Sequence, residues 1–141
     1  MTPGDVPEGP LLLDTDVFSF LAWQRGRYAE WSDLVDGHPF ALSFATVGEL
    51  RSGARNSFGP RRTAELERLM RQCVVIPATD DVTRKWAEIH AKFRDQVGQN
   101  DIWIAACALS QNPKLPLASG DRSAFDHLKK EFPIVLVHPD V

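Results

Sequence analysis

The 141-residue chain predicts an α/β fold, a three-layer α/β/α sandwich around a parallel sheet of about five strands. Three observations carry this. Short apolar runs with no polar face, such as Leu11-Leu12-Leu13 and Cys73-Val74-Val75-Ile76, suit strands buried on both sides. Longer segments between them place apolar residues at helical spacing. The two kinds alternate from Leu11 to Val137, and right-handed crossovers then bring the strands into one parallel sheet.

Composition bounds the class. A hydrophobic fraction of 43% and a charged fraction of 25% are ordinary for a soluble globular protein. The length suits one domain, read as residues 10–141, with 1–9 a flexible amino-terminal arm. A net charge of -3 excludes a basic nucleic-acid coat. It does not exclude nucleic acid, because acids that bind metal leave the remainder near neutral. Cys73 and Cys107 each lie inside an apolar run and read as core residues of a reduced protein, not as a disulfide or zinc site. Met1 to Pro10 lacks the pattern of a signal peptide, and no apolar run approaches membrane-spanning length, so the expected location is cytoplasmic with no membrane partner.

The elements follow in order. The first strand is Leu11 to Asp14. Val17 to Trp23 is the helix after it, with Thr15 or Asp16 as N-cap. Tyr28 to Val35 is a second short helix, and Asp36-Gly37-His38-Pro39 is turn chemistry. Phe40-Ala41-Leu42 is the second strand. Ser43 suits the N-cap of a helix over Phe44 to Asn56, with Phe44, Val47, Leu50 and Ala54 inward. Arg61 to Gln72 is amphipathic with Leu66, Leu69 and Met70 inward, and Cys73 to Ile76 is the third strand. Thr79 to Val97 is the longest helix, with Val82, Trp86, Ile89, Phe93 and Val97 as its stripe. Asp80 and Asp81 in its first turn suit the helix dipole, and His90 has no partner at ligand spacing. Gly98 ends that helix and Asn100 suits the cap of the next, whose run Ile102 to Leu109 is apolar nearly all round and therefore buried. Leu115 to Ala118 is the fourth strand, Arg122 to Leu128 a short helix, and Ile134 to Val137 the last strand.

The acids carry the chemistry. Asp14 and Asp121 emerge at the carboxyl ends of strands, where open parallel sheets bind ligands. Glu49 is flanked at helical spacing by Ala45, Ser52 and Gly53, small residues that leave room beside a carboxylate. Asp101 is the only acid of its apolar helix and sits in the first turn. Each has an ordinary structural explanation: turn or cap for Asp14, Asp16 and Asp121, solvated surface for Glu49, dipole compensation for Asp101. Together all four can converge on one sheet edge, where they would repel one another without a cation. Hard oxygen ligands suit magnesium or manganese rather than zinc. Such an ion activates and orients water and stabilises a leaving oxygen, which is the chemistry of phosphodiester hydrolysis with no nucleophilic side chain.

Four blocks then resemble a known family: Leu11-Leu12-Leu13-Asp14-Thr15-Asp16-Val17, Ser43-Phe44-Ala45-Thr46-Val47-Gly48-Glu49-Leu50, Asn100-Asp101-Ile102-Trp103-Ile104-Ala105-Ala106 and Ser119-Gly120-Asp121. They look like PIN-domain blocks, more narrowly those of VapC-type toxins of type II toxin–antitoxin modules. The resemblance covers Leu11 to Val137 and implies a PIN-like fold and a magnesium-dependent endoribonuclease. It implies Asp14, Glu49, Asp101 and Asp121 as the catalytic and metal-binding quartet, with Asp14 and Asp101 as direct ligands. Thr15 and Ser119 are supporting residues, Ser119 standing where the family often has Thr. Asp126 is the alternative fourth acid. The resemblance also implies a homodimer, an RNA substrate such as tRNA, and a VapB-like antitoxin that places a basic residue in the acidic site. Arg51 and Arg55 are the first candidates for RNA contacts, with Arg25, Arg27, Arg61 and Arg62 beside them.

Two other readings compete. Asp14-x-Asp16 after an apolar strand also resembles the nucleophile motif of haloacid-dehalogenase-type phosphatases, in which Asp14 would attack phosphorus. That reading leaves Glu49 and Asp101 without a purpose. A non-catalytic module holding a basic partner on its acids is the third.

Overall fold

The three leucines form β1 (Leu11–Leu13), the central strand of the sheet in the computed structural model, which describes residues 1–141. With β2 (Phe40–Ser43), β3 (Val74–Ile76), β4 (Leu117–Ala118) and β5 (Leu136–Val137) it builds one sheet in the order β3-β2-β1-β4-β5. Every pairing is parallel, and Leu13 lies between Leu42 and Ala118. The α/β/α expectation holds.

Successive side chains of a strand point to opposite faces. Leu11 and Leu13 therefore enter one core layer and Leu12 the other. The first layer holds α1 (Thr15–Trp23), α2 (Tyr28–Val35), α3 (Phe44–Ser57) and α4 (Pro60–Met70), through residues such as Phe18, Trp31, Leu50 and Leu66. The second holds α5 (Asp80–Phe93), α6 (Gln99–Ser110) and α7 (Arg122–Lys129), through Val82, Ile89, Ile104 and Phe125. Each fully buried leucine contributes about 1.5–3 kcal/mol, which fixes the register of β1. Helix α6 is buried almost all round, as its composition requires.

Several boundaries move, each for a backbone reason. Leu115 donates its N–H to the Ala108 carbonyl, and Pro116 has none to donate, so β4 starts at Leu117. Ile134 donates to the Phe132 carbonyl, and β5 starts at Leu136. Helix α5 ends at Phe93 and turns follow it, yet Val97 stays buried. On α3 the inward positions are Thr46, Leu50 and Ala54, while Phe44 turns to meet Trp103 edge-on at 5.1 Å. Residues 1–9, read from the sequence as a flexible arm, carry a one-turn 3-10 helix at Pro3–Asp5 and pack through buried Val6. No helix is long and apolar enough to cross a membrane.

The chain runs from β1 outward to β3, then returns to add β4 and β5 on the other side of β1. The strand order thus reverses between β1 and β4, and their carboxyl ends border the crevice where such sheets bind ligands.

Candidate active site

Asp14 follows β1 directly and is held at three points. Its backbone N–H donates to the Ala118 carbonyl at 2.9 Å, continuing the ladder with β4. Its Oδ1 accepts from the Thr15 N–H at 2.7 Å, and its Oδ2 accepts from the Ser119 hydroxyl at 2.6 Å. Asp14, not Thr15 or Asp16, is therefore the N-cap of α1. Capping and a functional role do not exclude each other, because each carboxylate oxygen keeps a lone pair beyond the hydrogen bond it accepts. Ser119 is itself fully buried, and its Oγ also accepts from the Asp121 N–H at 3.0 Å. One hydroxyl thus ties the end of β1 to the turn after β4.

Glu49 arrives from α3 on an exposed position. Thr15 bridges it to Asp14: the Thr15 hydroxyl donates to Glu49 Oε1 at 3.1 Å and lies 3.3 Å from the hydroxyl of buried Thr46. Asp101 arrives from the first turn of α6, whose N-cap is Gly98 rather than Asn100. Asp121 caps α7, its Oδ1 accepting from the Ala124 N–H at 3.1 Å. Asp126 lies further along α7, beside Ser123, His127 and Lys130, in a separate depression.

The acids act on one another electrostatically. Burial raises the Asp101 carboxyl to about 7, helped by the charges of Asp14, Asp121, Glu49 and Asp16. A helix dipole alone would push an acid in this position the other way. Burial also raises Asp14 to about 6, against the hydrogen bonds from Ser119 and Thr15 and with the help of Asp16 and Glu49. The charged neighbours that act most strongly on these two carboxyls are acids. Asp14, Glu49 and Asp121 thus lie within electrostatic reach of Asp101; Asp126 is not among the acids that act on it.

Sequence reasoning missed one member. Asp16 was assigned a capping role, but it is a half-buried acid of the site, raised by burial and by Asp121. It packs so tightly on Gly120, whose N–H supports it, that a Cβ there would lie 2.6 Å from its Oδ2. The Asp14-x-Asp16 spacing was the available signal. Thr46 gave none, since a buried threonine on a helix face looks like any core position.

The donor set fits a hard cation. It offers only carboxylate and hydroxyl oxygens, under mutual repulsion that a divalent ion would relieve. No three of the acids stand ready to enclose one ion. Magnesium does not ask for that, since one or two carboxylates commonly hold it and water and phosphate oxygens complete the shell.

Among the candidate arginines, Arg51 is paired with Glu67 at 2.8 Å, and Arg27 with Glu30 and Asp140. Arg55 and Arg61 are exposed without an ion-pair partner, while Arg25 and Arg62 line a cleft together with Glu49.

Acids gathered near the carboxyl ends of β1 and β4 in a parallel α/β sheet, with a cleft beside them that Glu49 shares with Arg25 and Arg62, define a candidate phosphodiesterase site. Comparison with known proteins identifies the family. The PIN domain family model matches residues 11–131. Ribonuclease VapC5 of Mycobacterium tuberculosis is 31% identical over 122 residues, covering 82% of this chain and 87% of the relative. The chain belongs to the PIN-domain family, among the VapC ribonucleases. Solved structures share the fold. The VapBC-5 toxin–antitoxin structure from M. tuberculosis matches with a TM-score of 0.66 at 26% identity, covering 92% of this chain and 98% of that one. VapBC-1 from nontypeable Haemophilus influenzae matches in fold with a TM-score of 0.73 at 22% identity, covering 94% and 99%.

Proposed function

We propose that the protein is the endoribonuclease toxin of a toxin–antitoxin pair and hydrolyses RNA phosphodiester bonds with a bound magnesium ion, manganese serving in its place. The observation that supports it best is Asp101, a carboxyl lifted to about 7 by burial and four neighbouring acids. Evolved cores do not gather like charges without a use for them, because burying them unpaired is costly.

In this reading Asp14 and Asp101 hold the ion, with Glu49 and Asp121 completing the acidic ring. When bound, the ion supplies a water of lowered pKa and positive charge for the leaving oxygen. The chain does the positioning. Ser119 and the Thr15 N–H fix the Asp14 carboxylate in one rotamer from two sides. The Thr15 hydroxyl holds Glu49, an otherwise free surface side chain, over the same crevice. Asp16, supported by the Gly120 N–H, backs the Asp121 side. The substrate is RNA, structured RNA such as tRNA included. A VapB-like antitoxin would silence the site by presenting a basic side chain to its unmatched acids. The active form is a homodimer acting in the cytoplasm.

The test is cleavage of cellular RNA by the purified protein. Cleavage should stop on chelation, return with magnesium or manganese, and be absent in Asp101→Asn. Cleavage that persists with the metal chelated would sink the proposal. The phosphatase alternative makes a different forecast: Asp16→Asn would trap a phosphoryl group on Asp14. That reading leaves Glu49 and Asp101 without a role, although both act on Asp14 or with it.

A further inference from the structure

A cleft of about 380 Å³ opens directly off the acids, with Thr15 and Glu49 in its wall. Its far side is an aromatic platform. Trp23, the last residue of α1, meets Phe58, the C-cap of α3, edge to face with centroids 5.5 Å apart. The guanidinium of Arg62, from the first turn of α4, lies over both rings, 4.7 Å from the Trp23 centroid and 4.0 Å from that of Phe58. Arg25 stands at the rim. Arg27, Arg51, Arg68, Arg84 and Arg94 all have carboxylate partners within 4.0 Å; Arg25 and Arg62 have none.

An exposed, unpaired guanidinium resting on two half-buried rings is a surface for a flat ligand that carries negative charge. A nucleotide is such a ligand. Its base stacks on an aromatic ring or a guanidinium plane, and its phosphate meets the second arginine. The volume suits one small ligand. A base can enter only when it is unstacked, which excludes regular duplex. Because Glu49 belongs both to this wall and to the acidic crevice, a nucleotide here is a direct neighbour of a phosphate at the acids.

The geometry points to a nucleobase subsite made by Trp23, Phe58 and Arg62, which takes one unpaired nucleotide next to the scissile phosphate. The inference rests on the ribonuclease reading and deepens it.

The test uses the full-length protein in three arms. First, a single-stranded RNA oligonucleotide with a mapped cut is cleaved by wild type, Arg62→Ala and Phe58→Leu. Both variants should raise KM about tenfold and leave kcat within about twofold. Second, the same oligonucleotide is made abasic at each position around the cut. One abasic position should cost wild type about as much as Arg62→Ala does, and cost Arg62→Ala little more. Third, tryptophan fluorescence of the Asp101→Asn protein is titrated with a homopolymer RNA; quenching should be lost when Trp23→Phe is added.

Equal abasic penalties in wild type and Arg62→Ala at every position would overturn the subsite, as would quenching that ignores Trp23. If Arg62→Ala and Phe58→Leu cut RNA like wild type but no longer hold a co-expressed antitoxin, the cleft is a protein-docking surface and the subsite fails. If wild type cuts no RNA at all, the ribonuclease reading falls, and the Trp23 quenching arm still decides the subsite by itself.

Discussion

Helices α5 and α6 begin alike in sequence and end up in opposite circumstances. Both carry acids in the first turn: Asp80 and Asp81 on α5, Asp101 on α6. The same dipole argument applies to both. At α5 it is sufficient. Asp80 and Asp81 are exposed, Thr79 caps the helix through the Val82 N–H, and Asp80 pairs with Arg84 at 2.7 Å. At α6 it fails. Asp101 is half-buried, Gly98 offers no side-chain cap, and four acids face it. The Ser110 hydroxyl at the far end of α6 reaches the Asp81 carbonyl, so the two sets of acids lie at opposite ends of α6, which at 1.5 Å per residue is roughly 18 Å. Position relative to α6 separates an ordinary dipole partner from a half-buried carboxyl among acids.

The largest effect that can break this contrast is on activity. Asp101→Ala should lower RNA cleavage by at least about a hundredfold while the circular dichroism spectrum stays native, and Asp80→Ala should leave cleavage unchanged. Equal losses in both variants would mean that the acids at α6 are not special.

Ser119→Ala sharpens the same point one residue away. It removes the 2.6 Å bond to Asp14 without touching any acid. Cleavage should fall about ten- to hundredfold, with a rise in the metal concentration needed for half-maximal rate.

Stability against pH gives the next contrast. In the metal-free protein Asp101 and Asp14 titrate near 7 and near 6, against an ordinary value of 3.8. Between about pH 4 and 7 the folded chain keeps protons that the unfolded chain has released, so stability falls as pH rises through that window. Metal-free protein should melt higher at pH 5 than at pH 8. Asp101→Asn should flatten the difference, and magnesium should restore the melting temperature at pH 8. Thermal melts of Asp80→Asn should keep the wild-type pH slope.

The smallest effects concern the neighbours. Gly120→Ala would bring a Cβ to 2.6 Å from Asp16 Oδ2, the far end of a side chain, which must shift to make room. Cleavage should drop by roughly tenfold with little change in melting temperature. Asp80→Ala should cost only about 0.3–1 kcal/mol of stability, the usual worth of a first-turn acid. A larger loss there would show that its pairing with Arg84 does more than the α5 comparison allows.

Much of the molecule was legible before any coordinates. Leu11-Leu12-Leu13 has no polar face, and only a strand covered on both sides satisfies it. The stripe on α5 and the all-round apolarity of α6 fixed which faces turn inward. The same periodicities placed Asp14, Glu49, Asp101 and Asp121 at element ends and turns, which is how the acidic set was reached. Asp16 escaped because an aspartate just inside a helix start is chemically indistinguishable from a cap, and the actual cap lay two residues earlier. Thr46 and the Trp23–Phe58–Arg62 platform escaped because their partners come from different helices.

The order of apolar and polar residues therefore determined the elements, the layers and the sign of the crevice, since burial and hydration act on each short segment where it stands. Tertiary structure alone decided which acids share a field, which hydroxyl binds which carboxylate, and which arginines are free. Those are long-range distances, and Coulomb energies and hydrogen bonds depend on separation in space, which a linear spacing does not carry.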